Sequence, residues 1–214
     1  MQIEFVSDVA CPWCAVGLNG LERALERLSD LPIELRFEPY ELNPDLGPEG
    51  RDVVEYLSQK YGRSPAEVAQ MQETIRARGE AVGFEFGPRV HTWNTFDAHR
   101  LIAWSGDEGP PGAQRALKHA LLQAYHGDGL NPSAPEVLLQ AAAAAGLDAA
   151  AAQAVIASDR YADVVRQRER HWQQLGIQAV PSVVVDGRHL IQGGQPPEVY
   201  EQALRKIAAS GASA

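Results

Sequence analysis

Hydrophobic and polar residues change their period several times along this chain, and each change marks an element. Residues 2 to 7, with Ile3, Phe5 and Val6, form a short apolar run that predicts a strand. From Trp13 to about Leu28, Val16, Leu18, Leu21, Leu25 and Leu28 fall near helical spacing; Ile33, Leu35 and Phe37 then alternate with Glu34, Arg36 and Glu38 in a second strand. Such a strand, helix, strand unit predicts a parallel pair with a right-handed crossover. Pro39, Asn43, Pro44, Gly47, Pro48 and Gly50 make the next stretch turn-rich, and helical patterns follow for over a hundred residues. Ser64-Pro65-Ala66-Glu67 and Ser133-Ala134-Pro135-Glu136 each combine an N-cap, an early proline and a capping-box glutamate, and Asn94 with Asp97 opens another helix. Gly62, Gly79, Gly83, Gly106 and Gly146 are expected stops. The alanine runs 141–145 and 149–152 read as helix with a small-residue packing face, and Ser158-Asp159 is expected to cap a helix reaching Leu175. Strand character returns in Val183-Val184-Val185 and His189-Leu190-Ile191 around an Asp186-Gly187 turn, the signature of a hairpin. Gly193-Gly194 ends it, and Pro196-Pro197 starts a last helix carrying Val199, Leu204 and Ile207.

Sheet elements at both ends with helices between them predict an α/β fold interrupted by a large all-helical insertion. The expected boundaries place a discontinuous domain at residues 1–43 and 158–210 and the insertion at 44–157. A chain of 214 residues can bury a core of that kind without covalent staples. Its formal charge of −9 argues against nucleic acid as a partner. Arg166, Arg168 and Arg170, the densest basic patch, alternate with Gln167 and Glu169 on what reads as a solvated helix. No apolar stretch is long enough to cross a membrane. Met1 runs directly into strand residues, and Asp8 interrupts the apolar run early, so the expected location is cytoplasmic.

Both cysteines sit in one tetrapeptide, Cys11-Pro12-Trp13-Cys14, where the first strand gives way to the first helix. Thiols at i and i+3 on a first helical turn share a face at a separation a disulfide can span. So tight a loop adds little stability, and the pair reads as chemistry. A thiolate is the attacking species, and unpaired N–H groups at a helix N-terminus lower the pKa of a cysteine placed there. Cys11 is therefore the expected nucleophile, and Cys14, a turn deeper, the resolving thiol. Pro12 fits the helix start, and the uncharged Trp13 adds bulk and a substrate contact. The loop Val180-Pro181, ahead of the hairpin, is expected to lie against the dithiol with a cis proline that leaves a backbone edge open.

Four segments together resemble the DsbA family of thioredoxin-fold oxidoreductases: Ser7-Asp8-Val9-Ala10-Cys11-Pro12-Trp13-Cys14, Asn94-Thr95-Phe96-Asp97-Ala98-His99-Arg100-Leu101, Val180-Pro181, and Gly193-Gly194-Gln195-Pro196-Pro197-Glu198. Within that family the similarity is to the cytoplasmic FrnE-like branch. The resemblance implies a thioredoxin-like fold whose helical insertion caps the site, a catalytic Cys11/Cys14 pair and a cis-Pro181 facing it. Periplasmic members resemble a form with His where this chain has Trp13; losing that potential cation implies a less acidic Cys11 and a weaker oxidant. The implied activity is protein-disulfide oxidation or isomerisation on disulfide- or thiol-containing proteins or small molecules. No metal or organic cofactor is implied; glutathione or a thioredoxin system would reset the pair, and a homodimer is an open option.

Rival assignments follow from the same residues. A zinc site needs four ligands, and there is no second cysteine pair. The scaffold also resembles the 2-hydroxychromene-2-carboxylate isomerases and kappa-class transferases, which activate glutathione with a serine at the first motif position; cysteine at both positions argues against that alternative. Asn94, Asp97 and His99 either shape the substrate site or simply pack a helix. Trp93, Trp104, Trp172, Phe84 and Phe86 are expected in the core, and His91, His119, His126, His171 and His189 in structural or exposed positions. Asp8 either caps the first helix or affects proton transfer from Cys14.

Overall fold

Alternation along the first strand divides its side chains between two apolar clusters. Ile3 and Phe5 join Leu18, Leu21, Tyr200 and Leu204 in the larger one, and Val6 joins Val184, Ile177 and Trp172 in the smaller. The computed structural model describes residues 1–47 and 49–211; Pro48, one of the expected turn residues, lies outside the described residues. Strand β1 (Gln2–Ser7) leads into helix α1 (Pro12–Arg27), which returns to β2 (Glu34–Pro39). A two-residue strand β3 (Arg51–Asp52) precedes α2 (Val53–Tyr61) and α3 (Pro65–Val82), and its partner β4 (His91–Thr92) precedes α4 (Phe96–Asp107). Next come α5 (Ala113–Leu122), a π-helical turn at Gln123–Gly127, α6 (Pro135–Ala144), α7 (Ala149–Ile156) and α8 (Ala162–Gln174). The hairpin β5 (Ser182–Val185) and β6 (His189–Gln192) and helix α9 (Pro197–Gly211) complete the chain's described elements.

The main sheet has the order β2-β1-β5-β6. β1 runs parallel to β2, with Phe5 opposite Phe37, and antiparallel to β5, with Phe5 opposite Val183. Positive φ at both Asp186 and Gly187 makes the β5–β6 connection the type of turn that matches strand twist. Helices α1 and α9 pack together, and α4, α5 and α8 pack on β2. Gln114 of α5 clamps the outer edge of β2: its Oε1 accepts from Phe37 N and its Nε2 donates to Phe37 O, both at 3.1 Å. Glu22 of α1 accepts from Arg115 and His119 of α5 at 2.5 and 2.8 Å, so the helical insertion is tied to the helix that carries the cysteines.

Several local expectations shift, each because a side chain is engaged elsewhere. Ser64 and Glu67 form the reciprocal capping box, but Ser133 does not cap α6: its hydroxyl donates to Asn131 Oδ1 and Ala134 takes the cap position. Thr95, not Asn94, is the N-cap of α4; its hydroxyl is held by Asp8, and Asn94 Oδ1 instead accepts from Phe96 N at 2.8 Å. Ser158-Asp159 does not cap α8: the Ser158 hydroxyl donates back to Ala154 O at 2.6 Å, and α8 begins at Ala162 with Tyr161 at the cap position. Gly62 and Gly83 end helices in the left-handed region and Gly146 follows α6 there, as expected. Gly79 and Gly106 lie inside α3 and α4: a Cβ on Gly79 would sit 2.5 Å from the Phe86 ring, so absence of a side chain there serves packing rather than termination. The basic patch on α8 is only partly solvated. Arg166 bonds Glu41 and Glu169 and lies 3.9 Å from the Phe96 ring centroid, Arg168 pairs with Asp107, and Arg170 is exposed.

Candidate active site

The end of β1 delivers Cys11 to the N-cap position of α1, where its extended backbone precedes Pro12 at the first helical position. No side chain caps this terminus, so its backbone N–H groups are left to the sulfur. The two cysteines are 3.7 Å apart and both are free thiols. Cys11 retains 5 % exposure and Cys14 none, and of the two only Cys11 lines the adjoining cleft. The Cys11 thiol lies below its ordinary range because the Cys14 side chain donates to its sulfur; backbone N–H groups of Cys14 and Trp13 add to this, against burial and the nearby Asp8 charge. Burial pushes Cys14 well up, and sharing a proton with Cys11 pushes it further. This asymmetry separates an attacking thiolate from a thiol that must be deprotonated before it reacts.

The Val180 carbonyl lies against the dithiol, accepting from Cys11 Sγ at 3.5 Å, and the Val180–Pro181 peptide bond is cis. Glycine in α1 makes this approach possible. A Cβ on Gly17 would stand 2.8 Å from Pro181 Cγ, and one on Gly194 would stand 3.0 Å from Trp13 O. Gly193-Gly194, a strand end in the sequence pattern, thus also seats the returning chain on the tetrapeptide that carries the cysteines. Trp13 is half-buried, with the Arg78 guanidinium of α3 6.0 Å from its ring centroid, so a cation does lie beside the motif, supplied by the insertion. A cleft runs from Cys11, Pro12 and Trp13 to Tyr56, Lys60, Met71 and Arg89, with walls from α2 and α3.

Asp8 is fully buried at the end of β1 and gathers four donors. Its Oδ1 accepts from Ala10 N at 3.0 Å, Thr95 Oγ1 at 2.7 Å and His99 Nε2 at 3.2 Å, and its Oδ2 from Leu42 N at 2.7 Å. Burial pushes this carboxyl up, but the His99 hydrogen bond and charge, with the two backbone N–H groups, outweigh burial and hold it below the usual range. His99 therefore reaches the site through Asp8. Asn94 does not join them: its Nδ2 donates to Glu41 and Pro44 O, each at 3.3 Å. Asp97 pairs with Arg100 at 2.7 Å, and Arg100 also holds Val155 O and Arg160 O, so Asp97 belongs to the junction of α4 with the loop after α7.

Three groups near the dithiol carried no clear signal in the sequence. Lys118 of α5 is 1 % exposed, His126 of the π-helical turn is 1 % exposed and donates from Nε2 to Val9 O at 2.8 Å, and Arg89 donates to Ala10 O at 3.4 Å. Apolar neighbours at helical spacing, Leu117 and Leu121, point to the inward face of α5, and a lysine directly beside them was the available hint. Of the aromatics, Trp104, Trp172 and Phe84 are core residues; Trp93 is half-buried, and Phe86 joins Pro12, Arg89 and His126 around a small recess. Among the described residues no group of three His, Cys, Asp or Glu side chains is placed to hold a metal ion, and no helix is long and apolar enough to cross a membrane.

The chain is similar to several proteins of known structure. A probable DsbA oxidoreductase from Streptomyces coelicolor is 34 % identical, with a TM-score of 0.90 covering 98 % of this chain and 90 % of that one. The cytosolic disulfide reductase DsbM from Pseudomonas aeruginosa, solved with GSH, is 16 % identical, with a TM-score of 0.67 over 98 % of this chain and 100 % of that one. A 2-hydroxychromene-2-carboxylate isomerase is also 16 % identical, with a TM-score of 0.71 over 100 % of this chain and 98 % of that one. At 16 % identity the likeness is one of fold. The sheet, the helical insertion and the cysteines at the first helix are those of a thioredoxin-like fold, and with its family model matched over residues 2–205 this chain belongs to the DSBA-like thioredoxin domain family.

Proposed function

We propose that this chain is a thiol-disulfide oxidoreductase or isomerase that exchanges disulfides through Cys11 and Cys14, a cytoplasmic member of the FrnE-like branch. The observation that carries this is the difference between two cysteines 3.7 Å apart: Cys11 with a lowered pKa, at an uncapped helix N-terminus and lining the cleft, Cys14 fully buried and resistant to ionisation. Cys11 attacks a substrate disulfide, forming a mixed disulfide and releasing one substrate thiolate. Cys14 then attacks Cys11 Sγ, closing the internal bond and releasing the second. Pro12 and Trp13 shape the entrance, and the backbone at Val180 and Pro181 pairs with an extended substrate in strand fashion. His99 acts by fixing Asp8, whereas Asn94 and Asp97 contribute through the surrounding fold. Segment 44–157 serves as the insertion that walls the cleft. Glutathione or a thioredoxin system resets the pair, and no further cofactor is required.

The glutathione-dependent isomerase remains the alternative, supported by a shared fold and opposed by cysteine at the first motif position. The Cys14→Ser variant separates the two. It is expected to accumulate mixed disulfides at Cys11 with thiol-bearing proteins or peptides, reversed by dithiothreitol and visible on non-reducing gels. Noncovalent glutathione binding with turnover of an aromatic substrate and no mixed disulfide would support the alternative instead.

A further inference from the structure

Most arginines of this chain stand beside a carboxylate. On and beside α2 and α3, Arg51 pairs with Glu55, Arg63 with Glu67 and Arg76 with Glu73. Three cations near the dithiol differ: among the described residues Lys60, Arg78 and Arg89 have no acidic partner, and neutral acceptors and rings hold them instead. Lys60 Nζ donates to Leu42 O at 3.1 Å and to Asn43 Oδ1 at 2.7 Å. Arg89 donates to Ala10 O at 3.4 Å and lies 5.7 Å from the Tyr125 ring centroid. Arg78 donates to Gly194 O at 3.4 Å, with its guanidinium over the Trp13 ring. Contacts of this kind orient a charge without neutralising it.

The cleft that opens on Cys11 is lined by Lys60 and Arg89 and by no carboxylate. Asp8 is buried beneath it, and four donors answer its charge inside the fold. Beyond Tyr56 and Lys60 the lining changes, and an outer groove holds Asp45 and Glu49 beside Arg51. The basic character therefore belongs to the face that carries the sulfur, on a chain whose formal charge is −9. Arg78 marks a second approach to the same tetrapeptide: Gly194, which it bonds, follows Gly193, whose N–H donates to Pro181 O at 2.8 Å. Tyr61 and Met71 also line the cleft and are exposed, an apolar lip that a longer chain would cover.

We propose that Cys11 selects disulfides in acidic polypeptide segments, extended stretches whose cysteine is flanked by carboxylate side chains that Lys60, Arg89 and Arg78 receive. This names the substrate of the exchange reaction proposed above and rests on it. An attacking thiolate is an anion and repels an acidic segment; cations left without carboxylate partners offset that repulsion, raise the encounter rate of acidic partners and disfavour basic ones. The chemistry is unchanged. The dithiol gives two electrons and two protons to the polypeptide disulfide, which leaves as two thiols, and the chain ends with a Cys11–Cys14 bond.

Rapid mixing of the reduced protein with disulfide-linked dimers of short blocked peptides tests this, the central cysteine being flanked on both sides by Asp or by Lys. Each rate is divided by that of the same peptide with dithiothreitol, which removes differences in intrinsic reactivity. At low ionic strength the Asp peptide is expected to react about 100-fold faster than the Lys peptide, within the range of electrostatic steering. In about 1 M salt, where charges act over about 3 Å, the ratio is expected to fall below about tenfold. A ratio within about threefold of unity at low salt, or one indifferent to salt, would overturn the proposal. Lys60→Gln combined with Arg89→Gln is expected to cut the low-salt ratio about tenfold, and a native ratio in that variant would overturn the part given to these residues. The salt series on the native protein gives an answer even if the variant fails to fold. Glutathione disulfide, a small carboxylate-bearing molecule, tests the size of the substrate: a normalised rate more than about threefold above that of the Asp peptide would overturn the choice of polypeptide. Absence of exchange with all of these disulfides would instead reject the exchange reaction itself.

Discussion

Cys11→Ala is expected to lose thiol-disulfide exchange by more than about a thousandfold, the scale seen when a nucleophile is removed, while the protein stays folded. No other thiol can substitute. Cys14 is fully buried and its thiol is pushed well above its ordinary range, so with Cys11 gone the remaining sulfur is both inaccessible and protonated. The structural cost is small, because the Cys11 side chain is short, its contacts with Val180 O and with Cys14 are weak sulfur contacts, and alanine keeps its place at the helix start; a loss of about 1 kcal/mol is typical of such a change. Reduction of an insulin-like disulfide substrate gives the activity, and a urea melt gives the stability. A variant that unfolds, or one that retains exchange, would each refute a specific part of this: the first its independence from the fold, the second the role of Cys11.

Asp8→Ala is expected to destabilise the protein by about 3–5 kcal/mol, the largest structural effect among the residues around the dithiol. Four donors converge on this carboxylate from β1's own turn, from the segment after β2 and from α4, so its removal leaves buried N–H and O–H groups without partners. Asp8→Asn keeps the shape and part of the acceptance, and about 1–3 kcal/mol is expected. The pH dependence has a definite sign. Because the folded-state pKa of Asp8 lies below its ordinary value, the carboxylate contributes its full stability above the ordinary carboxylate range and loses it as pH falls through the folded value. Urea midpoints measured downward from pH 6 to acid should therefore fall more steeply for the native protein than for Asp8→Asn. Equal slopes would show that the charge on Asp8 is unimportant.

Much of the framework was legible because it rests on short-range pattern. The period-2 run of β2, the helical spacing in α1, the Asp186-Gly187 turn and the capping box at Ser64 each depend on neighbours in sequence, and all appear where expected. Misplaced boundaries share a cause: the hydroxyl that could have capped the helix is engaged elsewhere. The Thr95 hydroxyl goes to Asp8, 87 positions away, the Ser133 hydroxyl to Asn131 and the Ser158 hydroxyl to Ala154 O; propensity carries no information on any of these. The site divides the same way. Cys11 and Cys14 announce themselves by spacing, whereas Asp8 was ambiguous and Lys118 silent, because their meaning comes from the insertion helices that fold over the sheet edge. Asp97 shows the converse, a polar residue close in sequence to His99 that a neighbouring arginine draws away from the dithiol.

Equilibration of the protein in glutathione buffers of stepped redox poise, followed by acid trapping and mass analysis, addresses the exchange of two electrons between these sulfurs most directly. The expected result is a single transition in which the chain loses two hydrogens and gains no glutathione, with the Cys11–Cys14 peptide linkage recovered after digestion. Stable accumulation of singly glutathionylated protein at Cys11, with Cys14 remaining a free thiol at every poise, would contradict it.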